Sequence, residues 1–136
     1  MDDPTQFLIR SKSDLDNANR LVEMGHPAVT PVLSHMVEWI QDMNWPVAHV
    51  VAPFLGSLGD AMVPEVRKVL DSDDLIWKYW MISEVVARLP TDIVAVFRSD
   101  LERLAYHSTS EERKEGLEEE ALEQLQRIDS QQQSGA

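Results

Sequence analysis

Two short segments that contain tryptophan are the parts of this sequence best suited to recognising another molecule. Tryptophan is enriched at binding hot spots because it buries a large apolar surface while keeping one N–H donor. Both segments also contain side-chain oxygens that can accept hydrogen bonds from a basic ligand. We therefore predict a binding surface that consists of Asp42, Asn44, Trp45, Asp74, Trp77, Lys78, Trp80 and Glu84.

The same residues have a structural interpretation. Trp45 can fill the core between helices, and the acidic and amide residues of both segments can cap helix ends, where one cap contributes about 0.5–2 kcal/mol. Neighbouring residues on a helix point about 100° apart, so Trp77 and Trp80 share a flank beside a core-facing Tyr79, with Lys78 and Glu84 elsewhere on the surface. At least one of these two tryptophans should be partly exposed.

A second candidate surface is acidic and lies towards the end of the chain. Eight acidic and three basic residues fall between Glu111 and Asp129, around one narrow apolar line at helical spacing. Glu118, Glu119 and Glu120 form the predicted acidic face. Such a face imitates the charge of a phosphate backbone, although a solvated helix that closes a helical stack has the same pattern.

No pattern in the sequence indicates catalysis. There is no cysteine, and the four histidines, at positions 26, 35, 49 and 107, lack the spacing of a metal-binding motif. Glycine-rich phosphate loops and nucleophile elbows are absent from the sequence as well. We therefore predict that the protein is not an enzyme and uses no cofactor and no metal ion.

Charge restricts the choice of partner. The sequence has 12 Lys and Arg against 24 Asp and Glu, a formal net charge of -12. This excess repels nucleic acids and anionic membranes and attracts basic proteins, although it can also serve solubility alone. The apolar stretches are shorter than the roughly 20 residues of a membrane span, and residues 1–4 do not resemble a signal peptide. We predict a cytoplasmic protein, a monomer or weak homodimer, that binds a basic protein.

The elements that must position these residues are helices. Almost every segment has the three-and-four apolar spacing of an amphipathic helix, and none alternates as a strand does, so the fold class is all-α with about seven helices. Asp14 is placed to cap the first helix and Asn44 the third, and the seventh begins near Ser110. Residues 1–130 are predicted to form one domain and residues 131–136 a disordered tail.

An internal repeat organises these helices. The shift that places Asp42 on Asp73 also places Arg67 on Arg98 and aligns the apolar positions between them. One helical hairpin cannot bury its apolar face alone, so repeated hairpins stack around a continuous core. Residues 55–64 resemble the turn between the helices of a HEAT repeat. We predict a HEAT-like right-handed stack of antiparallel helical hairpins, with an ordinary helical bundle as the alternative.

Two blocks of the sequence resemble the characteristic blocks of a bacterial family, domain of unknown function 5071. They are DMNWPVA at residues 42–48 and DLIWKYW at residues 74–80. The resemblance includes residues 12–15 and covers most of the chain, although Arg10 stands where the family usually has proline. It implies a HEAT-like helical fold of one domain and no established activity. Some members look like cytosolic immunity or regulatory proteins.

These observations favour a non-catalytic protein-binding module. A specific form of this hypothesis is a cytosolic immunity protein that occupies the active cleft of a cognate bacterial toxin through its acidic face and exposed tryptophan flank. The alternative is a small-molecule or peptide sensor that uses a groove lined by Trp45, Trp77 and Trp80. An enzyme acting on nucleic acid is disfavoured because the basic residues are scattered and outnumbered.

Overall fold

The computed structural model describes residues 3–134, and every regular element in this part of the chain is helical. The first half contains α1 (Leu15–Met24), α2 (Leu33–Glu38), α3 (Pro46–Leu55) and α4 (Val63–Leu70). The second half contains α5 (Leu75–Trp80), α6 (Thr91–Val94), α7 (Arg98–Tyr106), α8 (Ser110–Lys114) and α9 (Leu117–Ser134). The predicted all-α fold class is confirmed.

Short turns of other helical types extend several of these helices. They are the 3₁₀ turns Thr30–Val32, Gly59–Met62, Val86–Arg88 and Ala95–Phe97, and the π-helical turn Met81–Val85. As a result, residues 75–88 form one continuous helical run, which begins with α5 and which we therefore call the fifth run. Residues 91–106 form a second continuous run. One more 3₁₀ turn, Pro4–Phe7, stands apart before α1.

The last predicted helix is divided in two. Gly116 separates α8 from α9 and has a φ of 83°, a backbone conformation that is costly for residues with a Cβ. α9 then continues to Ser134, so residues 131–134 of the segment predicted as a disordered tail are helical. Residues 135 and 136 lie outside the described residues.

The predicted helix caps are right in one case and wrong in another. The Asp14 carboxylate accepts a hydrogen bond from the Asn17 backbone N–H at 3.2 Å, which caps α1 as predicted. Asn44 does not cap α3, because Trp45 occupies the N-cap position and makes no side-chain cap bond. The Asn44 N–H instead donates to the Asp42 carboxylate at 2.8 Å, which closes the corner before α3. Proline at the first position of α3 has no N–H that needs a cap.

Helices that correspond in the internal repeat lie side by side. In one row α1 contacts α3, and α3 contacts the π-helical turn of the fifth run. In the other row α2, α4, α7 and α9 are joined by polar contacts, namely Ser34 to Glu65 at 2.9 Å, Arg67 to Asp100 at 2.8 Å and Arg98 to Asp129 at 3.0 Å. Stacked hairpins are expected to make contacts of this kind. The right-handed, HEAT-like form of the stack stays a prediction.

One apolar core runs through the molecule. Its buried side chains extend from Ile9 to Ile128 and belong to a single cluster. At Gly56, a Cβ would lie only 2.7 Å from Arg88 Cβ, so the end of α3 approaches the fifth run at a distance that glycine allows. Within residues 3–134, no helix has both the length and the apolar character that crossing a bilayer requires.

Candidate functional site

The corner between α2 and α3 contains a small hollow with aromatic walls. The rings of Trp39 and Trp45 meet edge to face, with centroids 5.5 Å apart and an interplanar angle of 63°. The His35 ring packs against Trp39 in a similar manner, at 6.3 Å. Together with Glu38 and Gln41, these three residues line a cavity of about 180 Å³, which we call the corner hollow.

His35 connects the corner hollow to the beginning of the chain. Its Nε2 accepts a hydrogen bond from the Ile9 backbone N–H at 2.9 Å, and an accepting nitrogen carries no proton. Burial lowers the pKa of His35, against a smaller opposing effect of the Glu38 carboxylate. The neutral imidazole therefore holds the buried Ile9 backbone against α2.

Acidification is expected to weaken the fold through His35. Because its pKa is lowered in the folded protein, this contribution to stability is complete above the ordinary value of 6.5 and is lost as the pH falls through the folded-state value. Between the folded-state pKa and 6.5, the unfolded chain binds the proton at position 35 more readily than the folded chain does. Urea unfolding between about pH 5 and 8 measures the effect.

The matched variants for this measurement are H35Q and H49Q. Glutamine at position 35 can still accept the Ile9 N–H but does not titrate, so the unfolding free energy of H35Q should depend less on pH in this range. His49 is exposed, so H49Q is the control for a histidine substitution and should change the unfolding free energy by less than about 0.5 kcal/mol. Equal pH dependence in H35Q and the unmodified protein would contradict the role of His35.

The other two predicted tryptophans lie apart from the corner hollow. The Trp77 indole N–H donates to the Val37 backbone carbonyl at 3.3 Å, which joins the fifth run to α2. Trp80 packs edge to face on Tyr79, with ring centroids 4.9 Å apart. Both are partly exposed, in line with the prediction for at least one of them. Within residues 3–134 neither ring contacts Trp45, so the three tryptophans do not form one cluster.

Two further residues of the predicted surface, Asp74 and Lys78, occupy positions that the helical fold explains. The Asp74 carboxylate accepts the Trp77 backbone N–H at 3.0 Å and caps α5. Lys78 is 8% exposed, so its predicted position on the surface is wrong. It lies on the same helix face as the buried Ile82 and Val85, where a long aliphatic stem can cover apolar surface. No carboxylate of the described residues is within ion-pair distance of its amine.

The structure brings Glu84 of the fifth run together with part of the predicted acidic face. We use the name glutamate cluster for the four residues Glu84, Glu119, Glu120 and Glu123. Burial raises the pKa of Glu120, and repulsion from the other three carboxylates raises it further. The pKa of the Tyr79 hydroxyl is also raised, first by burial and then by the same four glutamates. Shifts in this direction are expected where burial and neighbouring negative charges both disfavour the ionised form.

The glutamate cluster has little compensating positive charge. Glu84 pairs with Arg88 at 3.7 Å, but no Lys or Arg of the described residues lies within ion-pair distance of Glu119, Glu120 or Glu123. These three residues line an open depression of about 460 Å³ together with Leu122 and Gln126. The depression can therefore accept a cationic group.

Glu118 does not share this depression. Its carboxylate accepts the Ser108 hydroxyl at 3.2 Å, towards the loop between α7 and α8. Gly116 sets the direction in which α9 leaves this loop, and a Cβ at Gly116 would lie 3.0 Å from a Tyr79 ring carbon. The predicted acidic face is thus divided between two places.

Sequence reasoning missed several residues of the corner hollow and one residue that fixes α9 in place. It did not single out Trp39, Glu38 or Gln41, although a tryptophan at the end of a helix and just before the Trp45 corner is a signal that could have found them. It also missed Arg127, whose guanidinium donates to the Leu89 carbonyl at 2.9 Å and fixes α9 to the end of the fifth run. Within the part of the chain that the structure describes, no three His, Asp or Glu side chains form a group that could hold a metal ion.

The described part of the chain is all-helical, with tryptophans at the corner between α2 and α3 and within α5, and with an acidic last helix. The model of a domain of unknown function, DUF5071, matches residues 7–125, which include the corner hollow and the glutamate cluster. The chain belongs to the DUF5071 family. No curated protein matches it.

Proposed function

We propose that this protein is a non-catalytic binding module whose partner is a basic protein. The observation that carries the proposal is the glutamate cluster, where three carboxylates of α9 have no cation within ion-pair distance among the described residues. Like charges held together repel one another, and a cationic partner would relieve this repulsion. Recognition of Lys or Arg side chains is therefore the chemistry that this surface supports best.

The charge of the whole chain supports the same class of partner. A formal net charge of -12 raises the encounter rate with a basic protein and opposes binding to nucleic acids and anionic membranes. A bacterial toxin with a positively charged active cleft belongs to this class of partner. In that case the protein would act as an immunity protein in the bacterial cytoplasm, with the glutamate cluster in the cleft.

A synthetic octalysine peptide is a suitable probe of the glutamate cluster. We expect E119Q/E120Q/E123Q to bind it about tenfold more weakly than the unmodified protein, because three charge contacts of roughly 0.2–1 kcal/mol each are lost. The matched control, E23Q/E102Q/E111Q, removes the same number of charges from exposed positions elsewhere and should bind within about twofold of the unmodified protein. Calorimetry at low ionic strength measures both affinities.

Equal weakening in the two variants would mean that net charge attracts the peptide and that the glutamate cluster is not a site. The natural partner gives a second measurement. A protein that is captured from the source cells by the unmodified protein and by the control, but not by E119Q/E120Q/E123Q, should be basic. A neutral or acidic partner with this behaviour would contradict the proposal.

A further inference from the structure

The corner hollow has walls that attract cations. Trp39 and Trp45 stand at 63° to each other, so their two ring planes bound the space from different directions. The face of an indole ring carries negative potential and is the best aromatic surface for a cation. Two partly exposed indoles at one small cavity therefore favour a positively charged ligand over a neutral one.

A carboxylate completes the charge pattern of the corner hollow. Glu38 lines the cavity and is exposed, and no Lys, Arg or His of the described residues forms an ion pair with it. His35 does not supply a competing positive charge, since burial lowers its pKa and its Nε2 accepts the Ile9 N–H. The hollow thus combines two indole rings with one carboxylate that has no cationic partner among the described residues.

The shortage of hydrogen-bond acceptors distinguishes between kinds of cation. His35 Nε2 accepts the Ile9 N–H, and the Glu38 backbone carbonyl accepts the Gln41 side-chain N–H at 3.0 Å, so the Glu38 carboxylate and the Gln41 side-chain oxygen are the acceptors that remain for a ligand. A primary ammonium is strongly hydrated and would need several acceptors to replace its water. A quaternary ammonium has methyl groups in place of N–H donors, so it can rest on aromatic faces with one carboxylate nearby.

We propose that the corner hollow binds the trimethylammonium group of a small soluble compound. The volume of about 180 Å³ lies below the roughly 300–1,000 Å³ of pockets for drug-sized ligands, so it suits a headgroup with a short tail. Trp39 and Trp45 would contact the methyl groups, and Glu38 would balance the charge. This inference goes beyond the proposed protein-binding function and shares no residue with the glutamate cluster, so either proposal can fail while the other holds.

Choline and its neutral isostere dimethylbutanol, in which carbon replaces the quaternary nitrogen, test this assignment. We expect choline to shift the indole N–H resonances of Trp39 and Trp45 in NMR spectra and to bind about tenfold more tightly than the isostere. Equal affinity for the two compounds would show that the hollow is only an apolar crevice and would overturn the proposal. Absence of a saturable shift with choline would overturn it as well.

Variants locate the binding and identify the source of the headgroup. W45A should weaken choline binding about tenfold, and E38Q, which changes an exposed residue and leaves the core intact, about threefold. W80F alters a tryptophan outside the hollow and should bind choline as the unmodified protein does. A peptide with trimethyllysine that bound far more tightly than choline would overturn the assignment to a small compound, and an unchanged affinity in E38Q would overturn the role of Glu38.

Discussion

Replacement of Phe97 by alanine is expected to lower the free energy of unfolding by about 3–5 kcal/mol, the largest effect of any single substitution considered for this protein. Phe97 is fully buried in the 3₁₀ turn between α6 and α7, and its ring lies 5.2 Å from the Arg67 guanidinium of α4. Alanine would leave a cavity, and the closely packed helices around it cannot move enough to fill it. Urea unfolding monitored by circular dichroism measures the loss.

The neighbouring residue provides the control for Phe97. Val96 is 54% exposed, so V96A removes an apolar side chain from the same turn without opening a cavity and should change the unfolding free energy by less than about 0.5 kcal/mol. F97L retains most of the buried volume and should lie between the two. A loss below about 1 kcal/mol in F97A would show that the region around α6 contributes little to the cooperative fold.

The second large effect is expected at Glu112, which lies in α8 and is 4% exposed. Its carboxylate accepts two hydrogen bonds from Arg103, at 3.2 and 2.7 Å, and one from the Thr109 backbone N–H at 2.8 Å. The Thr109 hydroxyl accepts a hydrogen bond from the Glu112 backbone N–H, and these two reciprocal bonds form a capping box. We expect E112Q to lower the unfolding free energy at neutral pH by about 2 kcal/mol, a figure reduced because Arg103 is half exposed.

The pH dependence of the stability lost in E112Q separates the effect of the Glu112 charge from the effect of its side-chain shape. The Arg103 hydrogen bonds, together with the Thr109 N–H, lower the pKa of Glu112 to about 2, so its contribution is complete above the ordinary value of 4.5 and is lost as the pH falls through about 2. The difference between E112Q and the unmodified protein should therefore shrink in acid. Glu111 is exposed on the same helix, and E111Q should cost less than about 1 kcal/mol. Equal losses in E111Q and E112Q would contradict the role of the buried pair.

Parts of the candidate surfaces could be predicted because they depend on a few consecutive residues. The cap by Asp74 and the partial exposure of Trp77 and Trp80 follow from helix geometry alone. The burial of Lys78 could not be predicted in this way, because a long side chain on an apolar helix face can either cover that face or leave it.

The break at Gly116 has a similar cause. α8 contains no apolar residue, so the apolar line that begins with the buried Leu117 and Ala121 does not show whether the helix that starts near Ser110 continues through Gly116. A glycine within such a pattern can be tolerated in a helix or can end it, and the pattern does not decide between the two. Here the close approach of Tyr79 to Gly116 accompanies a positive φ, which ends α8 and redirects α9.

The sequence by itself determined the all-α fold class, the family resemblance, the negative charge and the cap of α1 by Asp14, because each depends on composition or on residues close together in the chain. Only the tertiary structure decided that the rings of Trp39 and Trp45 meet edge to face at the corner between α2 and α3, and that Glu84 joins the glutamates of α9. Such neighbours come from different helices or from the two ends of a corner, and the way helices cross is set by the packing of the whole core. The spacing of apolar residues along one helix does not specify that packing.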